Sequence, residues 1–113
     1  MDKNVIIQKP WGHEMIIAQN DLYVVKQLYI KGGCRLSKQY HEKKTETMIC
    51  VSGNAFLTAA DYKGFMTPHV PYFIYPELVH RVEAPQGDAI IVEVSTTELD
   101  DVVRVEDDYG RIK

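Results

Sequence analysis

At 113 residues the chain is long enough to bury one sizeable hydrophobic core and too short for a second. Its composition, 45% hydrophobic and 26% charged, is that of an ordinary water-soluble domain, with no apolar run near the roughly 20 residues that cross a bilayer. The formal charge of −3, with Lys and Arg scattered, supplies no basic field for a phosphate backbone, so neither nucleic acid nor a membrane is expected as a partner.

A single domain over 1–113 follows from that length. The segment Met1-Asp2-Lys3-Asn4 leads into too few apolar residues for a signal-peptide core, so a cytoplasmic location is expected. Two cysteines, Cys34 and Cys50, are too few for a stapled secreted scaffold and read as reduced thiols.

Along the chain, short segments rich in β-branched and aromatic residues recur at roughly ten-residue intervals, separated by Gly, Pro, Asn and Asp. They predict strands at 15–18, 22–30, 36–41, 46–52, 55–60, 72–75, 79–83 and 89–95. Turns are predicted at Gly32-Gly33, Gly53-Asn54, 61–64 and 85–88, and no long helical period interrupts the pattern. So many short strands with such turns predict an all-β, double-sheet jelly roll. In the segment 22–30, parity puts Lys26 on one face with Leu22, Val24, Leu28 and Ile30. An ammonium on an apolar face sits near a rim or aims at something negative. Trp11 reads as a lid packed over the barrel end, and the acidic stretch 100–108, interleaved with Val, reads as ordered.

The strongest local pattern runs from Gly33 to Gly53. Gln39 and His41 are two apart and project from one face of a strand, and Glu46 opens the next strand after a short turn, able to close on the same point. A fourth ligand from a distant strand is expected, and His80 fits. Imidazole, carboxylate and amide oxygen together suit one divalent ion, Zn²⁺ first, with Mn²⁺, Fe²⁺, Co²⁺ or Ni²⁺ as alternatives. His13 and His69 read as surface residues.

The spacing Gly33, Gln39-Tyr40-His41, Glu46, Gly53 resembles the first cupin motif, with Gln in place of the first His. Further landmarks are Lys9-Pro10-Trp11-Gly12 with Glu14, Leu36-Ser37-Lys38 before Gln39, Val51-Ser52-Gly53-Asn54-Ala55, His80-Arg81-Val82-Glu83, Glu93-Val94, and the closing run from Asp100 to Arg111. Over almost its whole length, and in order, the chain resembles the cupin domain of type II phosphomannose isomerases, a domain often fused to mannose-1-phosphate guanylyltransferase. The resemblance implies a cupin double-stranded β-helix, the jelly-roll barrel, with Gln39, His41, Glu46 and His80 as metal ligands. It also implies a phosphorylated sugar as small-molecule substrate. No activity on GTP is expected from these residues. The sequence departs from the family at Glu42-Lys43-Lys44-Thr45, where a histidine-rich stretch is usual, and at Met48, where Trp is usual. Before His80, Pro76 lies one residue too near and Glu77 stands at the family's Gly position.

The function this implies is metal-dependent interconversion of mannose 6-phosphate and fructose 6-phosphate. Lys44 resembles a catalytic or phosphate-contacting cation, or else is a solvated turn lysine. Asp100 and Arg104 reproduce a spacing implicated in proton transfer and substrate binding, or else form a surface ion pair. Lys26 and Arg35 are phosphate candidates, or else rim residues with buried stems. Two other functions compete: a non-catalytic sugar- or nucleotide-sugar-binding module, and an oxygen-using cupin, which Gln39 disfavours by replacing an imidazole. Small cupins leave sheet edges and apolar faces open, so a homodimer is expected.

Overall fold

The computed structural model describes residues 5–112. Among them are eleven strands and no helix: β1 (Val5–Lys9), β2 (Gly12–Gln19), β3 (Val24–Ile30), β4 (Lys38–Tyr40), β5 (Glu46–Ser52), β6 (Phe56–Ala59), β7 (Tyr62–Phe65), β8 (Tyr72–Ile74), β9 (His80–Glu83), β10 (Ala89–Ser95) and β11 (Val103–Glu106). They pair antiparallel in a six-stranded sheet, β1-β2-β3-β10-β5-β8, and a five-stranded sheet, β11-β4-β9-β6-β7. This is the all-β jelly roll expected from the turn spacing.

Alternation places the core. Val24, Lys26, Leu28 and Ile30 of β3, Glu46, Met48 and Cys50 of β5, and Ile91 and Glu93 of β10 are buried, while the residues between them are only half-buried. Leu22 does not join that face. The Asn20 side chain accepts hydrogen bonds from the Leu22 and Tyr23 amides at 2.8 and 3.0 Å, which turns the chain before β3 and leaves Leu22 79% exposed.

Three strands escape a reading of local pattern. β1 is exposed on four of its five residues, so it carries no alternation, and it is held by pairing with β2 from Val5↔Ile16 to Lys9↔Gly12. β7 occupies most of the segment expected to be a turn. The turn is the pair Ala60-Asp61, with Ala60 at a left-handed φ of 53°, and Gly64 lies within the strand, opposite Leu57. A T-shaped contact of Phe56 with Phe65 clamps this hairpin. β11 lies in the acidic stretch 100–108 and pairs with β4.

Gly53 shows why the motif ends on glycine. Its φ is +74°, and a Cβ there would stand 2.1 Å from the Asp88 carbonyl oxygen, so the chain can cross β10's entry only without a side chain. Trp11 is 2% exposed and packs with the core cluster that includes Leu28, Leu36 and Ile91.

Candidate metal centre

The five-stranded sheet lines up one side of the site. Arg104 on β11 pairs with Gln39 on β4, and Gln39 pairs with His80 on β9, so three inward side chains share a row. His41 follows β4 directly, and Glu46 opens β5 in the opposite sheet. The site therefore bridges both sheets.

His41 Nε2 lies 2.5 Å from Glu46 Oε1, and His80 Nε2 lies 3.5 Å from the same oxygen. One ligand atom from each residue falls within a 4.8 Å cluster, and all three side chains are about 1% exposed. The outer ring nitrogens settle the tautomers. His41 Nδ1 faces the Asp101 carbonyl oxygen at 2.6 Å and His80 Nδ1 the Leu78 carbonyl oxygen at 2.9 Å. A carbonyl only accepts, so each Nδ1 carries a hydrogen and each ring turns its Nε2 inward, toward Glu46. Those two nitrogens and both Glu46 oxygens are buried with no hydrogen-bond partner. Two nitrogens and two oxygens packed this closely and this deeply, with no well-formed hydrogen bond to any of them, are costly. A divalent cation with nitrogen and oxygen ligands fits them, and the carbonyl-fixed imidazoles are already oriented for it.

Gln39 lines the cavity beside this triad. Its Oε1 accepts a hydrogen bond from Ser37 Oγ at 2.7 Å, which leaves one lone pair of that oxygen over.

The turn that delivers His41, Lys44 and Glu46 is clamped by Asp101, a residue the sequence pattern does not single out. Its carboxylate accepts the backbone N–H groups of Glu42 at 3.0 Å, Lys43 at 2.7 Å and Lys44 at 2.9 Å. These bonds, led by the Glu42 amide, draw its pKa down to about 2. The same residue's carbonyl orients His41, so Asp101 fixes both ring and turn. On the other side, the Glu77 amide donates to the His41 carbonyl at 2.6 Å, and Glu77 holds a left-handed φ of 70°. The position that the family gives to Gly does require glycine-like geometry.

Beside the triad is a cavity of about 200 Å³. Its wall carries a diagonal band of charge across the six-stranded sheet: Glu14 on β2, Lys26 on β3 and Glu93 on β10, leading to Glu46. Lys26 Nζ donates to Glu14 Oε1 at 2.9 Å, and Lys9 approaches the other Glu14 oxygen at 3.6 Å. Burial works against the Lys26 charge, yet Glu14 more than offsets it and raises the pKa. Burial, with the Glu46 charge next, holds Glu93 well above the usual carboxylate range. Burial also pushes Glu46 up, but Glu93, His41, His80 and the Lys44 charge outweigh it and keep Glu46 well below that range. Of this pair, Glu93 carries the proton.

Lys44 is 6% exposed and lines the cavity, which is not the surrounding of a solvated turn lysine. Arg104 lines it too, with a buried Nε that has no hydrogen-bond partner, and no ion pair joins it to Asp100, which sits exposed at the cavity wall. Arg35 lies outside the cavity, its guanidinium held by Asp108 at 2.7 and 2.9 Å. His13 stacks on Tyr29 on the outer face of the sheet, and His69 occupies a loop at φ 65°, both away from the triad. Glu14 and Glu93 stand out in the sequence only as landmarks of the resemblance; their inward aim comes from strand parity once the registers are known.

The family model described as mannose-6-phosphate isomerase C-terminal matches residues 1–107. This chain belongs to that family. Among curated relatives of this family member, the alginate biosynthesis protein AlgA of Pseudomonas aeruginosa is 34% identical over 109 residues, 93% of this chain and 23% of that protein. Mannose-1-phosphate guanylyltransferase ManC of Salmonella typhimurium is 33% identical over 110 residues, 94% of this chain and 23% of that protein. The chain thus spans about a quarter of the length of these relatives. Among solved structures, the capsular polysaccharide assembling protein CapF of Staphylococcus aureus matches 94% of this chain and 32% of its own, with a TM-score of 0.83 at 15% identity. An RmlC-like cupin from Shewanella frigidimarina matches 87% of this chain and 88% of its own, with a TM-score of 0.76 at 14% identity. These likenesses establish the cupin double-stranded β-helix.

Proposed function

We propose that the chain is a metal-dependent sugar-phosphate isomerase, interconverting mannose 6-phosphate and fructose 6-phosphate. The observation that carries this reading is the convergence of His41 Nε2, His80 Nε2 and Glu46, all buried without a well-formed hydrogen bond, beside a cavity lined by Lys26, Lys44 and Arg104. Gln39, His41, Glu46 and His80 would hold the ion, Zn²⁺ by preference for this donor set. When bound, the ion supplies Lewis-acid polarisation of a sugar carbonyl without a change of oxidation state.

The chain's own residues supply the rest. Aldose–ketose isomerisation takes a proton from the carbon beside the carbonyl and returns it to the neighbouring carbon, with negative charge passing through the oxygens. Lys44, buried beside Glu46, offsets that charge in a site shielded from water. Arg104 lines the cavity with a guanidinium whose Nε has no hydrogen-bond partner, and suits the phosphate or an oxyanion. Asp100 stands at the cavity wall with a carboxyl group in reach of a substrate there, placed to take a proton and give it back.

A second reading, a non-catalytic sugar- or nucleotide-sugar-binding module, draws support from the relatives, whose names refer to guanylyl transfer and polysaccharide synthesis in chains about four times as long. One sample separates the two. Metal content of the purified chain is measured, then conversion of mannose 6-phosphate with and without chelator. The isomerase reading expects about one equivalent of metal, chelator-sensitive turnover, and loss of both in His41→Ala. Bound metal with no turnover on any hexose phosphate selects the binding module, and a chain that takes up no metal overturns the metal site and with it the isomerase reading.

A further inference from the structure

The segment 107–111 follows β11 and supplies no member of the metal cluster, yet it is pinned along its length. Asp108 holds the Arg35 guanidinium at 2.7 and 2.9 Å, and the Tyr109 hydroxyl donates to the Arg35 carbonyl oxygen at 2.9 Å. Arg35, outside the cavity, thus ties this segment to the barrel. Gly110 takes a left-handed φ of 73°, and the chain bends back so that the Arg111 amide donates to Asp107 Oδ2 at 2.7 Å.

What this turn sets in place is the Arg111 guanidinium. Its Nε and Nη2 donate to the two Asp107 oxygens at 3.0 and 2.8 Å, and its Cζ lies 5.3 Å from the centre of the Tyr109 ring. The Asp107 side chain has no exposure to water, whereas that of Arg111 is 22% exposed and lines the cavity. The carboxylate therefore backs the guanidinium along one edge, and Nη1 stays outside the pair. Arg104 reaches the same cavity from β11 with a buried Nε that has no hydrogen-bond partner. Asp107 lies within the field of both arginines: the Arg111 hydrogen bonds first, and the Arg104 charge among the smaller causes, draw its pKa down to about 2. Asp107 answers Arg111, and among the described residues no ion pair answers Arg104, so positive charge remains on this side of the cavity.

The wall from the six-stranded sheet is different. There Lys26 and Lys9 converge on the single carboxylate of Glu14, Lys26 at 2.9 Å, so a phosphate dianion placed against Lys26 would meet Glu14 as well. Sheet order also separates the two ends. In the row His80, Gln39, Arg104, β11 stands two strands from β9, roughly 10 Å. A hexose whose carbonyl lies beside the triad carries its phosphate at the far end of the carbon chain, toward Arg104 and Arg111.

We infer that Arg111, together with Arg104, binds the phosphate of the substrate and makes the cavity select a phosphorylated over a free sugar. This rests on a sugar phosphate being the ligand, as proposed above, and adds which end of the cavity reads the phosphate. A guanidinium already fixed along one edge loses little freedom on meeting a second anion, and its planar fork matches phosphate geometry.

Isothermal titration calorimetry on the metal-loaded full chain tests this, with mannose 6-phosphate and mannose as the two probes. The wild type is expected to prefer mannose 6-phosphate. Arg111→Gln is expected to weaken mannose 6-phosphate about 10- to 100-fold, as loss of a charged hydrogen-bond donor does, and to leave the affinity for mannose within about twofold. Arg111→Lys keeps the charge without the fork and should recover part of that loss. Lys63→Gln removes the same charge from an exposed position on β7 and should change neither affinity. Should Arg111→Gln fail a circular dichroism check, because it leaves Asp107 buried and unpaired, the double variant Asp107→Asn, Arg111→Gln replaces the ion pair with a neutral one and carries the same expectation. A folded variant that binds mannose 6-phosphate within about twofold of wild type, or that loses both sugars equally, overturns the inference and leaves the isomerase reading standing. A wild type that binds the two sugars equally overturns it as well, and one that binds neither overturns the reading beneath it too.

Discussion

The two ends of the barrel interior are built from the same three strands in opposite chemistry. At one end, β3 presents Leu28 and Ile30, β5 presents Cys50, and β10 presents Ala89 and Ile91, all buried. At the other end the same strands present Lys26, Glu46 and Glu93, equally buried. Strand alternation alone explains the first end. The second requires that every ionisable group be answered by another from a different element: Lys26 by Glu14, Glu46 by His41 and His80, the 42–44 turn by Asp101. The apolar end therefore resists unfolding through bulk and tolerates apolar residues of similar volume, whereas the polar end tolerates few substitutions because each change leaves a buried partner unanswered.

The largest stability effect belongs to the apolar end. Leu28→Ala removes a side chain 2% exposed and should destabilise by about 3 to 4 kcal/mol in urea unfolding, with or without metal. Substitutions at the polar end should instead depend on metal. Asp101→Asn weakens the clamp on the 42–44 turn while leaving a carbonyl for His41, and should lower metal affinity about 10- to 100-fold, as loss of a supporting partner does. Titration with metal in the presence of a competing chelator reads this directly. The sign of the pH dependence follows from the same carboxylate. Its pKa near 2 lies below the unfolded value of 3.8, so its contribution to stability is complete above pH 4 and disappears as pH falls toward 2. Asp101→Asn should flatten that part of the acid unfolding curve.

Glu46→Gln sharpens the contrast, because its effect should reverse sign. Without metal, the amide gives the buried imidazole lone pairs a donor and should stabilise the fold by about 1 kcal/mol at pH 8. With saturating metal, the loss of an anionic ligand should leave the variant less stable than wild type. Equal shifts under both conditions would count against a cation at this point.

Legibility in the sequence followed the same division. The apolar half of β3, β5 and β10 was readable because burial and period two coincide there, and Gln39, His41 and Glu46 were readable because they are close in sequence on consecutive strands. For His80 the residues offered only a candidate on a distant strand, since its row beside Gln39 is a matter of sheet order. Asp101 left no local signal: its carboxylate acts on amides 57 to 59 residues away. Leu22 was misplaced because an Asn20 side-chain turn outranks the β-propensity of the residues after it. β1 and β7 lie at or near sheet edges, with one buried side or none, so neither alternates.

The smallest expected effect tests whether strain at the polar end serves the site. Glu77 holds a φ of 70°, where a side chain costs roughly 1 to 2 kcal/mol relative to glycine. Part of that is returned by glycine's greater freedom in the unfolded chain, about 0.5 to 1 kcal/mol. Glu77→Gly should therefore stabilise the fold by roughly 0.5 to 1 kcal/mol, as an upward shift of the urea midpoint with unchanged slope. The Glu77 amide still donates to the His41 carbonyl, so metal affinity should stay within about twofold of wild type. A gain in stability accompanied by a clear loss of affinity would mean that the Glu77 side chain itself holds the turn before His80 in register, and that a glycine at this position loosens the ligand it precedes.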